Sequence, residues 1–132
     1  LTPAGESMQI RLQTIFNQLK SLLLLHRPNS GAVEKLFFQR NVTTALSVGQ
    51  ARGVILLAMA EHNIPVAEYT PLEVKQAIAG YGGAEKAQVQ LMVKALLSLS
   101  DIPRPDDAAD ALAIAICHIN TNRFNQLAGE VK

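Results

Sequence analysis

With 132 residues and a formal net charge of +1, the chain has room for one ordinary domain and carries no strong overall field. Any nucleic-acid binding must therefore come from local clusters of Lys and Arg. The lone Cys117 excludes an internal disulfide, and 48% hydrophobic with 17% charged residues is typical of a globular, soluble protein rather than a disordered one.

Seven elements are predicted from hydrophobic spacing and from turn residues. In chain order they are a helix from Met8 that ends at His26–Pro28, a strand over Ser30–Phe38, a helix over Val42–Asn63, a strand over Ile64–Thr70, a helix from Pro71 through Ile78, a helix over Glu85–Leu99 and a helix over Asp107–Ile119. Residues 120–132 are mostly polar, and we expect them to form a loosely ordered tail.

The order of these elements indicates an α/β fold, in which parallel strands are joined by helical crossovers. Residues 1–132 are expected to form a single domain. Two strands are too few to cover the apolar faces of five helices, so the pattern reads as though further strands precede Leu1. The aliphatic block Ser21–Leu25 is far too short to span a membrane, and the cytoplasm is the expected compartment.

Three acids open the last predicted helix, in the stretch DDAADALAIAIC. Asp107 and Asp110 are three residues apart and so share one helical face, while Asp106 is placed to cap the helix. A like-charged pair on an otherwise apolar helix is costly unless a cation or an exposed cleft receives it. Metal binding and simple capping with solvation both remain open from the spacing alone.

Glu34 lies in the middle of the predicted strand AVEKLFF. An acid there is either an edge charge that deters aggregation, which the position alone favours, or a ligand that points into a site. If Glu34 meets Asp107 and Asp110, the three carboxylates suit Mg²⁺ or Mn²⁺, which prefer oxygen ligands. The three histidines are scattered along the chain and offer no competing set.

Basic and aromatic residues near these acids could contact DNA. Lys75 and Lys86 flank the glycine-rich break at Gly80–Gly83, where the backbone can come close to phosphates. Phe37 could stack on an unpaired base, with Arg40 close by in the sequence. Taken one at a time, the aromatic residue is better explained by the core and the basic ones by ordinary solvated charge; their joint placement is what favours a DNA contact.

The predicted helix over Val42–Asn63 carries Gly49 and Gly53 at a four-residue step. Small residues in such a row let another helix approach closely. Packing within the protein is one explanation. Because the helix has little polar face, part of it is also a candidate homodimer interface.

Four segments of the sequence resemble one known family. VEKLFFQRNVTTALSVGQARGV, EYTPLEVKQAIAG, GGAEKAQVQLMV and DDAADALAIAICH together are similar to RuvC-type Holliday junction resolvases. These are endodeoxyribonucleases with an RNase H-like fold, a mixed sheet flanked by helices. The resemblance extends from the first helix to His118.

The resemblance implies a site made of carboxylates that bind two Mg²⁺ ions, with Mn²⁺ as a possible substitute. The matching positions are Glu34, Asp107 and Asp110. Lys75 and Lys86 match lysines near the scissile phosphate, so that Lys86 is also a candidate catalytic residue. Phe37 matches an aromatic that engages unstacked bases. Together with Arg40, Lys75 and Lys86 it is expected to bind DNA.

One family feature has no match in this sequence. The family opens with three strands, and the first ends in an aspartate that bridges both metals. The sequence begins downstream of all three, and we expect the missing acid to lie upstream of Leu1.

The implied activity is Mg²⁺-dependent hydrolysis of DNA phosphodiester bonds, in which a homodimer nicks two strands of a four-way junction symmetrically during recombination and repair. The resemblance also implies association with a branch-migration helicase complex. Two alternatives stay open: a non-catalytic RNase H-like module for DNA binding or dimerisation, and a relative that acts on RNA–DNA hybrids.

Overall fold

The computed structural model describes residue 2 and the ranges 4–35 and 42–130. The order of helices and strands is the predicted one. The elements are α1 (Met8–His26), β1 (Gly31–Glu34), α2 (Val42–Glu61), β2 (Val66–Tyr69), α3 (Pro71–Ala79), α4 (Lys86–Leu96) and α5 (Asp106–Glu130).

These elements fall into two compact units, which we describe separately. The first unit contains α1, α2 and the first residue of each strand, and the second contains the rest of both strands with α3, α4 and α5. The single-domain organisation expected from the chain length stays a prediction.

β1 and β2 pair side by side, and among the described residues the sheet has these two strands. The Gly31 N–H donates to the Pro65 carbonyl at 2.9 Å, and the Lys35 N–H donates to the Tyr69 carbonyl at 2.8 Å. Both pairs have the same separation in sequence, so the strands are parallel, as predicted.

In the first unit, α1 and α2 enclose a small aliphatic core. Ser7 caps the start of α1, where its hydroxyl accepts from the Ile10 N–H, and Arg27 caps the end, where its backbone is in the left-handed region and its N–H donates to the Leu23 carbonyl. The buried residues are Leu23, Ala58, Met59 and Ile64. The first predicted helix is therefore confirmed at both ends.

In the second unit, α3, α4 and α5 pack around a core that includes the end of β2. Its buried members are Tyr69, Val74, Ile78, Val93, Ala113 and Cys117. α3 begins with a capping box in which the Glu73 N–H donates to Thr70 Oγ1 at 3.1 Å and the Thr70 N–H donates to Glu73 Oε1 at 3.3 Å. It ends at Gly80, whose φ of 87° suits glycine.

Short side chains line the buried face of α5. Ala109, Ala113 and Cys117 follow one another at four-residue steps, and each is at most 3% exposed. Side chains so short let α5 lie close to its neighbours.

Two predicted helix ends are wrong. α4 stops at Leu96, not Leu99, because Ser98 turns into the left-handed region at φ 53° and the Leu99 N–H donates back to the Lys94 carbonyl at 2.9 Å. α5 continues past Ile119 to Glu130, so the described part of the expected loose tail is helical. No proline interrupts residues 120–130, so the backbone ladder continues although most of these side chains are exposed.

β1 ends at Glu34, whereas the predicted strand ran to Phe38. Residues 36–41 lie outside the described ranges. Across those ranges, none of the helices combines the length and the apolar character needed to span a bilayer.

A polar contact inside the second core joins β2 to α5. The Tyr69 hydroxyl lies 2.7 Å from His118 Nδ1, and the two rings meet edge to face with their centroids 5.7 Å apart. His118 Nε2 lies 3.3 Å from Asn122 Nδ2 on the next turn. Burial is the main cause that raises the pKa of Tyr69 above its ordinary value of 10.0.

Tyr69→Phe is expected to lower the free energy of unfolding by about 1 kcal/mol, because it removes one buried hydrogen bond. Urea denaturation at pH 7 measures the change. Tyr81→Phe is the matched control, since the Tyr81 hydroxyl donates to Gln88 Oε1 at the surface.

The raised pKa of Tyr69 also predicts how stability changes with pH. The unfolded chain loses the Tyr69 proton at a lower pH than the folded chain, so wild-type stability falls as pH rises above 10. Tyr69→Phe should lose less stability there than the wild type; equal losses in the two proteins would contradict the raised pKa of Tyr69.

Candidate active site

A cavity of about 280 Å³ in the second unit receives polar side chains from one strand and three helices. They are Glu34 from the end of β1, Lys75 from α3, Lys86 and Gln90 from α4, and Asp110 from α5. Apolar residues form the rest of its lining, among them Val74, Ala113 and Ile114. Two carboxylates and two ammonium groups therefore border one opening.

Local structure explains why these side chains meet. β1 ends at Glu34, so this acid stands at the carboxyl end of a parallel strand, where sites in α/β folds commonly form. Asp110 follows Ala109, which is buried, and so lies at the edge of the packed face of α5. Lys86 is the first residue of α4, and Gln90 lies one turn later on the same helical face.

A second cavity, of about 570 Å³, adjoins the same part of α4. It is lined by Gln90, by the loop residues Ile102, Pro103, Arg104 and Pro105, and by Asp106 and Asp107. Gln90 borders both cavities. Asp107 thus lines the second cavity, while Asp110 lines the first.

Asp106 does not cap α5 as predicted. It is the first residue of the helix, and its carboxylate reaches across to α4 instead: Oδ2 lies 2.9 Å from Lys86 Nζ, and Oδ1 accepts from Gln90 Nε2 at 3.3 Å. The backbone carbonyl of Pro105 accepts from the Ala108 N–H at 2.9 Å in the first turn. The carboxylate thus makes charge-assisted hydrogen bonds to two side chains of α4 in place of a local cap.

The ion pair shifts the pKa of both partners. The hydrogen bond from Lys86 is the main cause that lowers the pKa of Asp106. The pKa of Lys86 is raised, chiefly by its hydrogen bond to Asp106 and to a smaller extent by the charges of Asp110 and Asp107. The ammonium group therefore lies within the field of all three acids that open α5.

The structure brings together four of the predicted site residues, namely Glu34, Asp110, Lys75 and Lys86. Asp107 lines the neighbouring cavity. Phe37 and Arg40 lie outside the described residues. Gln90 is not among the predicted site residues, and no partner on another helix is predicted for Asp106, although the four-residue step from Lys86 to Gln90 already places these two on one face.

Gly49 and Gly53, the predicted dimer-interface residues, lie on α2 in the first unit. A Cβ atom added at Gly53 would meet no atom within 4 Å in the described residues, its chain neighbours and the backbone of its own helix turn apart. Among the described residues, the helix face at Gly53 is therefore open.

Glu34 and Asp110 offer carboxylate oxygens to one cavity, and oxygen atoms are the ligands that hard divalent cations prefer. The part of the chain that the structure describes contains no group of three or more His, Cys, Asp or Glu side chains that could hold a metal by themselves. Within the described ranges, Glu34 and Asp110 are the carboxylates that border this cavity.

Comparisons with known proteins agree on one family. The sequence profile described as "Crossover junction endodeoxyribonuclease RuvC" matches residues 2–118. A protein of that name from Desulfitobacterium hafniense (strain DSM 10664 / DCB-2) is 57% identical over 129 residues, which cover 97% of this chain and 78% of the relative. Another from Chloroflexus aurantiacus (strain ATCC 29366 / DSM 635 / J-10-fl) is 62% identical over 120 residues, covering 91% of this chain and 73% of the relative.

Solved structures lead to the same family. The structure titled "Thermus thermophilus RuvC structure" matches with a TM-score of 0.87 and 42% identity, and "T. thermophilus RuvC in complex with Holliday junction substrate" with a TM-score of 0.90 and 42% identity. Each match covers 94% of this chain and 75% of the solved one. The likeness confirms the predicted α/β fold of the RNase H-like class, and the chain belongs to the RuvC family of crossover junction endodeoxyribonucleases.

Proposed function

We propose that this protein is a Holliday junction resolvase, an endonuclease that nicks two strands of a four-way DNA junction in recombination and repair. The observation that carries the proposal is the shared cavity at which Glu34 and Asp110 meet Lys75 and Lys86. Membership of the RuvC family and the likeness to a relative solved with a Holliday junction substrate support the choice of DNA substrate.

The reaction is hydrolysis of a phosphodiester bond. A water oxygen bonds to phosphorus, the bond from phosphorus to the 3′ oxygen breaks, and the products are a 3′ hydroxyl and a 5′ phosphate. Negative charge grows on the phosphoryl oxygens as this happens, and Lys86 and Lys75 can offset it from the cavity wall. No covalent bond to the protein is required.

Mg²⁺, with Mn²⁺ as a substitute, is the proposed cofactor, held by Glu34, Asp107 and Asp110. When bound, two such ions activate a water and stabilise the leaving oxygen. The carboxylates keep these positions because a strand end and a helix start present them from rigid elements.

DNA binding is assigned to residues around this cavity. Lys75 and Lys86 contact phosphates, and the same contacts place the scissile bond against the carboxylates. Phe37 stacks on a base that is unpaired at the junction, and Arg40 adds a phosphate contact. The proposal for these last two depends on the family resemblance.

Assembly as a homodimer is proposed through one face of α2. Val42, Leu46, Gly49, Gly53 and Leu57 follow steps of three and four residues, and so form a single stripe. Val42 is 85% exposed and Leu46 61%, which is costly unless a second copy covers them. A two-fold dimer carries two sites and matches the two strands to be cut.

The wider setting follows from the proposed function. Residues 1–132 form one nuclease domain that works in the cytoplasm, where the DNA and a branch-migration helicase complex are its partners.

The test uses the purified protein and a synthetic four-way junction labelled on each strand. With Mg²⁺ we expect paired nicks in opposite strands, no cleavage in EDTA, and little cleavage of a linear duplex of the same sequence. Binding without nicking in Mg²⁺ or Mn²⁺ would instead support the non-catalytic DNA-binding module. Faster cleavage of an RNA–DNA hybrid than of the junction would overturn the choice of substrate.

A further inference from the structure

We infer that Asp106 is a positioning residue that holds the ammonium group of Lys86 beside the scissile phosphate. The inference rests on the proposed function. Asp106 Oδ2 lies 2.9 Å from Lys86 Nζ, a distance typical of a charge-assisted hydrogen bond. Lys86 itself borders the cavity that holds Glu34 and Asp110, whereas Asp106 borders the neighbouring one.

The carboxylate of Asp106 is itself held in place. Its second oxygen, Oδ1, accepts a hydrogen bond from Gln90 Nε2 at 3.3 Å. Lys86 and Gln90 are four residues apart on α4 and so approach the carboxylate from one helical face. Two side chains of α4 therefore hydrogen-bond to the two oxygens of one carboxylate at the start of α5.

Such an anchor matters because a lysine side chain is long and flexible. The side chain of Lys86 is 57% exposed, so without a partner it would sample many rotamers in water. The anchor joins Lys86 to the helix turn that also carries Asp107 and Asp110. The separation between the ammonium group and these two carboxylates is then set by the protein before DNA arrives, which is the condition for efficient charge stabilisation.

A positioning role of Asp106 can be separated from its general electrostatic effect on DNA binding, because the first acts on the reaction rate and the second on affinity. Asp106 is negative and exposed, so by electrostatics alone its neutralisation should tighten the binding of DNA phosphates. If Asp106 orders Lys86, the same change should slow the chemical step. A slower reaction with equal or tighter binding therefore identifies positioning.

The first test is Asp106→Asn, which can still accept from Gln90 but has lost the charge that holds Lys86. We expect the single-turnover cleavage rate at saturating protein to fall roughly two- to fivefold, a modest effect because exposed ion pairs are weak. The dissociation constant for the junction, measured with Ca²⁺ in place of Mg²⁺, should stay the same or decrease. Asp101→Asn is the control: it removes the same charge, keeps an acceptor for the Ile102 N–H and should leave both quantities unchanged.

A double-mutant cycle with Lys86→Met separates positioning from a general effect on folding. If Asp106 acts through Lys86, Asp106→Asn should cause no further loss of rate in the Lys86→Met background. Multiplicative losses, or an Asp106→Asn rate equal to that of Asp101→Asn, would overturn the inference while leaving the nuclease proposal intact. Absence of cleavage by the wild-type protein would contradict both.

Discussion

Replacing Asp110 by Asn is expected to reduce the rate of junction cleavage by about 10³-fold, the scale on which loss of one key electrostatic group acts. Asp110 borders the cavity together with Glu34 and both lysines, so its charge lies where a cation and a phosphate would meet. Asn has nearly the same volume and can still bond to water, but it cannot balance a divalent ion. The rate is measured at saturating protein, so that binding does not limit it.

Binding and folding serve as controls for Asp110→Asn. Asp110 is exposed, so neither the urea midpoint nor the affinity for the junction in Ca²⁺ should weaken. Asp101→Asn carries the same charge change outside both cavities and should cleave at the wild-type rate. A rate for Asp110→Asn within tenfold of wild type would remove Asp110 from the proposed metal ligands. The same comparison for Asp107→Asn decides whether the second cavity contributes a ligand.

Replacing Gly53 by Trp should raise the dissociation constant of the proposed dimer about 100-fold or more. Overpacking an interface costs about 1–3 kcal/mol at one site, and two-fold symmetry brings the added ring in twice. Among the described residues no neighbouring element lies within 4 Å of the added Cβ, so folding should be unaffected. Light scattering over a range of protein concentrations measures the mass.

The matched control for this variant is Gly5→Trp, because Gly5 also faces open space. It should keep the wild-type mass. An unchanged mass for Gly53→Trp would show that this face of α2 is not the interface. If the dimer is lost while cleavage remains, nicks should appear on single strands instead of in opposite pairs.

Much of the fold could be predicted because local rules and packing agree at most element boundaries. Ser7 and Thr70 accept from backbone N–H groups at the starts of α1 and α3, and Pro71 suits the first helical turn. The end of α4 could not be predicted, since Ser98 adopts a left-handed conformation that a serine rarely takes. The length of α5 could not be predicted for a different reason: residues 120–130 are mostly polar and show no apolar helical face, although no proline interrupts them.

The candidate site was predicted less completely than the fold. The spacing of Asp107 and Asp110 predicts that they share one helical face. In the structure Asp110 lines the first cavity and Asp107 lines the second. The role of Asp106 could not be read from its own segment. It depends on Lys86, whose position beside α5 follows only from the packing of α4.

The short side chains beneath α5 make the carboxylate geometry depend on the interior of the protein. Ala109, Ala113 and Cys117 have short side chains, so α5 packs close to the core beneath it. The distance of Asp110 from that core therefore depends on the size of these three side chains. A Val or Leu at any of these positions would lift the helix and carry its acids outward. The packing of this core therefore helps to set the geometry of a site that lies outside it.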